Sequence, residues 1–182
     1  MSRRTGPERV LIVDGYYVLN ARRRPGTSSQ LADARDALIH ELQDYAGFSG
    51  QRIVLVFDAW QGDRMTRSVE DHGGVQVVFT QKGETADRYI ERLCDEYADR
   101  IQYRQSEVRV ATSDALEQTI VMGRGAVRMS SRELLLEMQQ VRSSGVSRTQ
   151  QTATLKRSTV ADRIPADLVE RMRAMVREGS KD

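Results

Sequence analysis

Short apolar runs alternate with amphipathic stretches along most of this chain. Val10-Leu-Ile-Val13 is apolar at consecutive positions, stops at Asp14, and is followed at once by Gly15. Such a run predicts a central parallel strand covered by helices on both faces. From about Ser29, Leu31, Ala34, Leu38, Leu42 and Tyr45 recur at helical spacing, with Gly47 near the stop. Arg52-Ile-Val-Leu-Val-Phe-Asp58 repeats the first pattern, and Val75 to Thr80 predicts a third strand. A helix opening near Glu84 carries Ala86, Tyr89, Ile90, Leu93 and Tyr97 on its apolar stripe. Glu107 to Asp114 reads as a fourth strand, followed by a helix from about Asp114 to Met122 and a short strand from Ala126 to Met129. Ser130-Ser-Arg-Glu133 has the spacing of a capping box and starts another helix. Strands alternating with helices in this way predict an α/β fold with a mainly parallel sheet and right-handed crossovers.

The pattern fades at both ends and in two connections. The opening segment is polar, Ala21 to Ser29 is turn-rich and basic, and Ala59 to Gly74 reads as one long polar loop. Between Arg142 and Arg163 the chain is rich in Ser, Thr and Gln and strongly basic, which reads as a linker; Pro165 then sets the first turn of a closing helix. The division expected is a domain over 8–142 and a basic extension over 143–182.

Composition narrows the class. Charged residues make up 30% and hydrophobic ones 39%, and the net charge of +2 is too small to imply a nucleic-acid partner by itself. Cys94 is the only cysteine, so no disulfide can form within the chain, which fits a reducing compartment. No apolar run approaches the ~20 residues of a membrane span, and no apolar segment precedes the first strand. A cytoplasmic protein without a membrane partner is the expectation.

The chemistry lies in the acids. Asp14, Asp58 and Asp114 each close a predicted strand, while Glu84 and Asp87 open the helix after another. In parallel sheets that edge is where ligands bind. Two like charges ~4 Å apart repel by about 4 kcal/mol at an effective dielectric of 20, so a cluster of carboxylates calls for a hard cation. Magnesium accepts oxygen ligands, and there it can polarise a phosphoryl oxygen and generate hydroxide from water. Each acid also has a plainer role. Asp114 can cap its helix, Glu84 and Asp87 can complement a helix dipole, and Asp58 can be a turn residue. Asp14 is harder to explain that way, because a carboxylate after four apolar residues is desolvated without an obvious local partner. Arg22, Arg23, Arg24, Lys82, Arg88, Arg124 and Arg128 flank this edge in the sequence and suit the phosphates of an RNA strand.

Leu11-Ile-Val-Asp-Gly-Tyr16, Val56-Phe-Asp-Ala59, Val78-Phe-Thr80 with Gly83-Glu-Thr-Ala-Asp87, Thr112-Ser-Asp114 with Glu117-Gln118, and Gly125-Ala126 with Arg128, Ser130 and Glu133-Leu134 together resemble the YacP-like family of NYN domains, within the PIN-like nuclease superfamily. The resemblance covers about Val10 to Gln140. It implies a three-layer PIN-like fold and a metal-dependent endoribonuclease using Mg2+ or Mn2+, acting on messenger RNA at the ribosome in one branch. It also implies that Asp14, Asp87 and Asp114 are the acidic active-site positions, with Asp58 beside them; Glu84, from its place at the same edge, is a further candidate metal ligand. The family reads Asp-Gly-Tyr-Asn in its first loop, whereas Tyr17 stands here in place of the asparagine. Tyr17 can stack on a base. The substitution keeps open a second reading, a catalytically weak RNA- or ribosome-binding factor that retains the fold.

Overall fold

Backbone pairing runs outward from the first strand, β1 (Glu8–Asp14), which sits between β2 (Arg52–Phe57) and the strand Ser106–Ala111, both parallel to it. A computed structural model of the chain describes residues 6–22, 28–58, 66–113, 116, 120 and 123–157, with backbone alone at 28–29 and 145–157. Within it, β1 leads into α1 (Gly15–Ala21) and α2 (Ser28–Ser49), then β2, β3 (Ser68–Asp71), β4 (Val75–Phe79) and α3 (Ala86–Gln102). β5 (Ser106–Ala111), β6 (Val127–Met129) and α4 (Ser131–Arg157) follow. The six strands lie in the order β3-β4-β2-β1-β5-β6, all parallel to their neighbours except β3, which is antiparallel to β4.

Two cores flank the sheet because successive side chains of a strand point to opposite faces. Leu11 and Val13 face a cluster with Leu38, Leu42 and Tyr45 of α2 and Leu134 and Met138 of α4. Val10 and Ile12 face the other cluster, with Ala86, Tyr89, Ile90, Cys94 and Tyr97 of α3. The central parts of β1 and β2, Val10–Val13 and Ile53–Phe57, therefore read as continuous apolar runs, whereas β5 keeps the charged Glu107 and Arg109 between its buried positions. The result is a three-layer α/β architecture with a mostly parallel six-stranded sheet.

Two elements escape the pattern. The loop expected over 59–74 contains β3, whose Ser-Val-Glu-Asp sequence is exposed at three of its four positions and so carries no apolar face. The turn after β1 is a helix, α1, capped by Asp14. α2 runs through Gly47 and stops before Gly50. The helix expected from about Asp114 to Met122 falls almost entirely outside the described residues. α4 continues to Arg157, into the stretch whose composition reads as a linker; no proline interrupts it. By contacts the chain divides into one unit over Met1–Arg142 and another over Ser143–Asp182. No helix among the described residues is long and apolar enough to cross a membrane.

Candidate active site

The sheet order makes an open edge. From β1 the chain builds β2, β3 and β4 to one side, then crosses back along α3 to place β5 and β6 on the other. Ligands bind beyond the carboxyl ends of the strands where the order reverses in this way. Asp14 ends β1, Asp58 follows the last residue of β2, and Asp87 lies in the first turn of α3, just beyond the end of β4.

Asp14 is held rather than free. Its Oδ1 accepts the Tyr17 backbone N–H at 3.0 Å, so the carboxylate caps α1 and points in a defined direction. Gly15 is required beside it. A Cβ there would stand 2.3 Å from a ring carbon of Phe57, a fully buried side chain. The Phe57 ring meets Tyr16 edge-on at 5.3 Å and stacks on Phe79 at 5.5 Å, so the floor beneath the acids is an aromatic stack.

The electrostatics show that three carboxylates share this edge. Burial pushes the Asp14 carboxyl above its ordinary range, and the charges of Asp87 and Asp58 add to the rise, against a pull downward from the Tyr17 and Tyr16 N–H groups. Burial also raises Asp87, with the charge of Asp58 adding to it. Among the described residues neither rise is opposed by a paired cation, and carboxyls shifted by burial and by neighbouring acids are the pattern of a functional site. Their donors are hard oxygens only, which fits Mg2+ or Mn2+, ions that need one or two carboxylates and retain waters. Among the described residues, no three acids, histidines or cysteines close on one point as a ready-made metal site. Asp114 lies outside the described residues. The buried Thr112 hydroxyl at the end of β5 has no hydrogen-bond partner among them.

Glu84 stands differently. Its carboxylate accepts from Arg67 Nη2 at 2.7 Å and Nε at 3.2 Å, and from Arg92 Nη2 at 2.7 Å. Burial alone would raise it, but these bonds outweigh burial and hold its carboxyl below the ordinary range. Two guanidiniums therefore already satisfy the Glu84 carboxylate, which sets it apart from Asp14 and Asp87. Neither arginine is legible as its partner in the sequence: Arg67 is 17 residues away, and Arg92 shares no helical-neighbour spacing with it.

The basic residues divide as well. Arg22 is paired with Glu41 at 2.6 Å, and Arg124 is held by Asp95 and by Glu91. Lys82 and Arg88 are exposed beside Asp87, Arg128 is half-buried on β6, and Tyr17 is half-buried on α1. Arg23 and Arg24 lie outside the described residues.

The sequence and the fold have known counterparts. The model of the YacP-like NYN domain matches residues 11–177. The chain belongs to that family. Its match runs beyond Gln140, where the motifs read from the sequence end. The Bacillus subtilis protein YacP is 36% identical over 134 residues, 72% of this chain and 76% of that protein. A crystal structure of Rae1 (YacP) from Bacillus subtilis superimposes with a TM-score of 0.66 at 30% identity, covering 93% of this chain and 95% of that one. A point mutant of the same protein gives 0.65 at 33% identity, covering 80% and 84%. The NYN family has the PIN-like nuclease fold, and the six-stranded α/β architecture here agrees with it.

Proposed function

We propose that this protein is a metal-dependent endoribonuclease that hydrolyses RNA phosphodiester bonds, with messenger RNA at the ribosome as its substrate. One observation carries the reading: Asp14 and Asp87, from separate parts of the chain, are both pushed above their ordinary range at the carboxyl edge of the sheet, first by burial and then by neighbouring charges, those of Asp87 and Asp58 on Asp14 and that of Asp58 on Asp87. Asp14 and Asp87 would hold a Mg2+ or Mn2+ ion together with Asp114, which the sequence places at the end of the β5 segment. Such an ion polarises a phosphoryl oxygen and makes water a better nucleophile. Asp14 has one oxygen fixed by the Tyr17 N–H, which sets the direction of its carboxylate. Asp58 is assigned the proton taken from the attacking water. Lys82, Arg88 and the basic run Arg22, Arg23, Arg24 serve the RNA backbone, with Arg124 and Arg128 further along, and Tyr17 offers a ring for a base. This substrate places the protein in the cytoplasm, where Cys94 stays reduced.

The test incubates RNA, free and on translating ribosomes, with Mg2+ or Mn2+ and compares wild type with Asp14→Asn and Asp87→Asn. Cleavage that needs the metal and disappears in both variants supports the enzyme. Tyr17 favours the second reading: it supplies Asp14 a backbone N–H where the family has a side-chain amide as well. Binding to RNA or ribosomes without metal-dependent cleavage by wild type would establish that reading instead.

A further inference from the structure

We infer that Glu84, Arg67 and Arg92 form a positioning clamp that sets the Asp87 carboxylate for capture of a divalent metal, an inference that rests on the nuclease reading. Glu84 is nearly covered, its side chain 10% exposed. It joins two guanidiniums that arrive from different places. Arg67 immediately precedes β3, and because β3 is antiparallel, its first residue Ser68 pairs with Phe79, the last residue of β4. Arg67 therefore reaches the same edge as the acids. Arg92 comes from the second turn of α3. Both guanidiniums also lie on the ring of Tyr89, with their central carbons 4.8 Å and 5.0 Å from its centroid. Cation–π contact with a buried ring restricts each arginine further.

The clamp brackets Asp87. Glu84 is three residues before it and Tyr89 two after. The Glu84 N–H donates to the Gln81 carbonyl at 3.0 Å, closing a turn in which Gly83 takes φ +83°, a conformation costly for any other residue. Thr85 then caps α3, its hydroxyl accepting the Arg88 N–H at 3.3 Å. The turn, the cap and the ion pairs together fix the start of α3 and with it the first-turn position of Asp87. The same Arg67–Glu84 contact ties the chain that leaves the sheet at Asp58 to the helix that carries Asp87. Site geometry must hold to within a fraction of an ångström, and the groups that lock it do not touch the ligand themselves.

The experiment measures Mn2+ affinity by electron paramagnetic resonance and steady-state RNA cleavage for wild type, Glu84→Gln, Arg67→Lys and Arg92→Ala. Only variants whose circular dichroism matches wild type at the assay temperature are compared. The clamp predicts roughly tenfold weaker Mn2+ binding and a kcat about tenfold lower in Glu84→Gln, with the KM for RNA unchanged. Arg67→Lys keeps the charge but not the two-pronged geometry, so it should fall with Glu84→Gln and not with wild type. Arg92, the more exposed arm at 46%, carries the test if the other variants do not fold. Wild-type Mn2+ affinity in folded variants, with only the melting temperature lowered or only the KM for RNA raised, overturns the clamp. A wild type that neither binds Mn2+ nor cleaves RNA overturns the nuclease reading first, and the clamp falls with it.

Discussion

Gly15→Ala probes the join between the fold and the acids. A methyl group at this position would stand 2.3, 2.5 and 2.9 Å from three carbons of the Phe57 ring. Carbon atoms pack at about 3.5–4.0 Å, so the ring or the start of α1 must move by about 1 Å. Phe57 is fully buried and its ring is in contact with Tyr16 and Phe79, so a shift of the ring disturbs both. Overpacking of this kind costs about 1–3 kcal/mol. Replacing glycine in a helix returns at most about 1 kcal/mol, and less in the first turn. The net destabilisation is about 1–2 kcal/mol, a fall in melting temperature of roughly 2–8 °C for a chain this size. Asp14 adjoins Gly15 and Asp58 adjoins Phe57, so RNA cleavage should fall as well. Differential scanning calorimetry of Gly15→Ala, Phe57→Leu and the double variant is the assay. Removing the ring relieves the clash, so the double variant should lose less stability than the two single losses added together. A melting temperature at or above wild type in Gly15→Ala, or strict additivity in the cycle, would show that the close approach does not constrain the edge.

Asp87→Asn and Asp14→Asn should stabilise the metal-free protein at neutral pH, because asparagine removes the charge and still caps α1 at position 14. Both carboxyls are raised in the fold, so the folded chain binds more protons than the unfolded one, and stability falls as pH rises from the ordinary value of 3.8 through the raised one. The gain should therefore be present at pH 7 and absent in acid; solvent screening at half-exposed Asp87 limits it to roughly 2–4 °C in a thermal melt. Glu137→Ala should cost about 1–3 kcal/mol in a denaturant titration. The change removes the acceptor of the Tyr45 hydroxyl, which donates to Glu137 at 2.7 Å and keeps only the bond it accepts from Gln51 at 3.1 Å, and it takes from Arg109 the two bonds it donates to Glu137 at 2.6 and 3.0 Å. The Arg109 bond holds the Glu137 carboxyl below its ordinary range, so this cost is present at neutral pH and shrinks as pH falls through the lowered value. Burial pushes the Cys94 thiol up to about 11, so a thiol reagent at pH 8 should modify it slowly in the folded protein and rapidly in guanidinium.

The strand runs and helical stripes were legible because burial on both faces leaves a local record: unbroken apolar runs at Val10–Val13 of β1 and Ile53–Phe57 of β2, and an apolar residue every three or four along α2 and α3. The aspartates that end those runs were legible for the same reason, since a charge after four buried residues breaks the pattern visibly. β3 left no such record. It pairs only through its backbone with β4 at the edge, and its side chains face water. α1 was hidden because its seven residues are too few to show a period, and Asp14 caps it without the glutamate of a capping box. The roles within the acidic group were the least legible. Asp87 and Glu84 are three residues apart with the same charge, yet one lies among the charges of Asp58 and Asp14 while the other is bound by Arg67 and Arg92. Local pattern reports how much of a residue's surroundings is apolar, and that was enough to name the layers and the acidic edge. Which charge meets which is decided by contacts between segments far apart in the chain, and those exist only once β3 has folded back along β4 and α3 has crossed to the other side of the sheet.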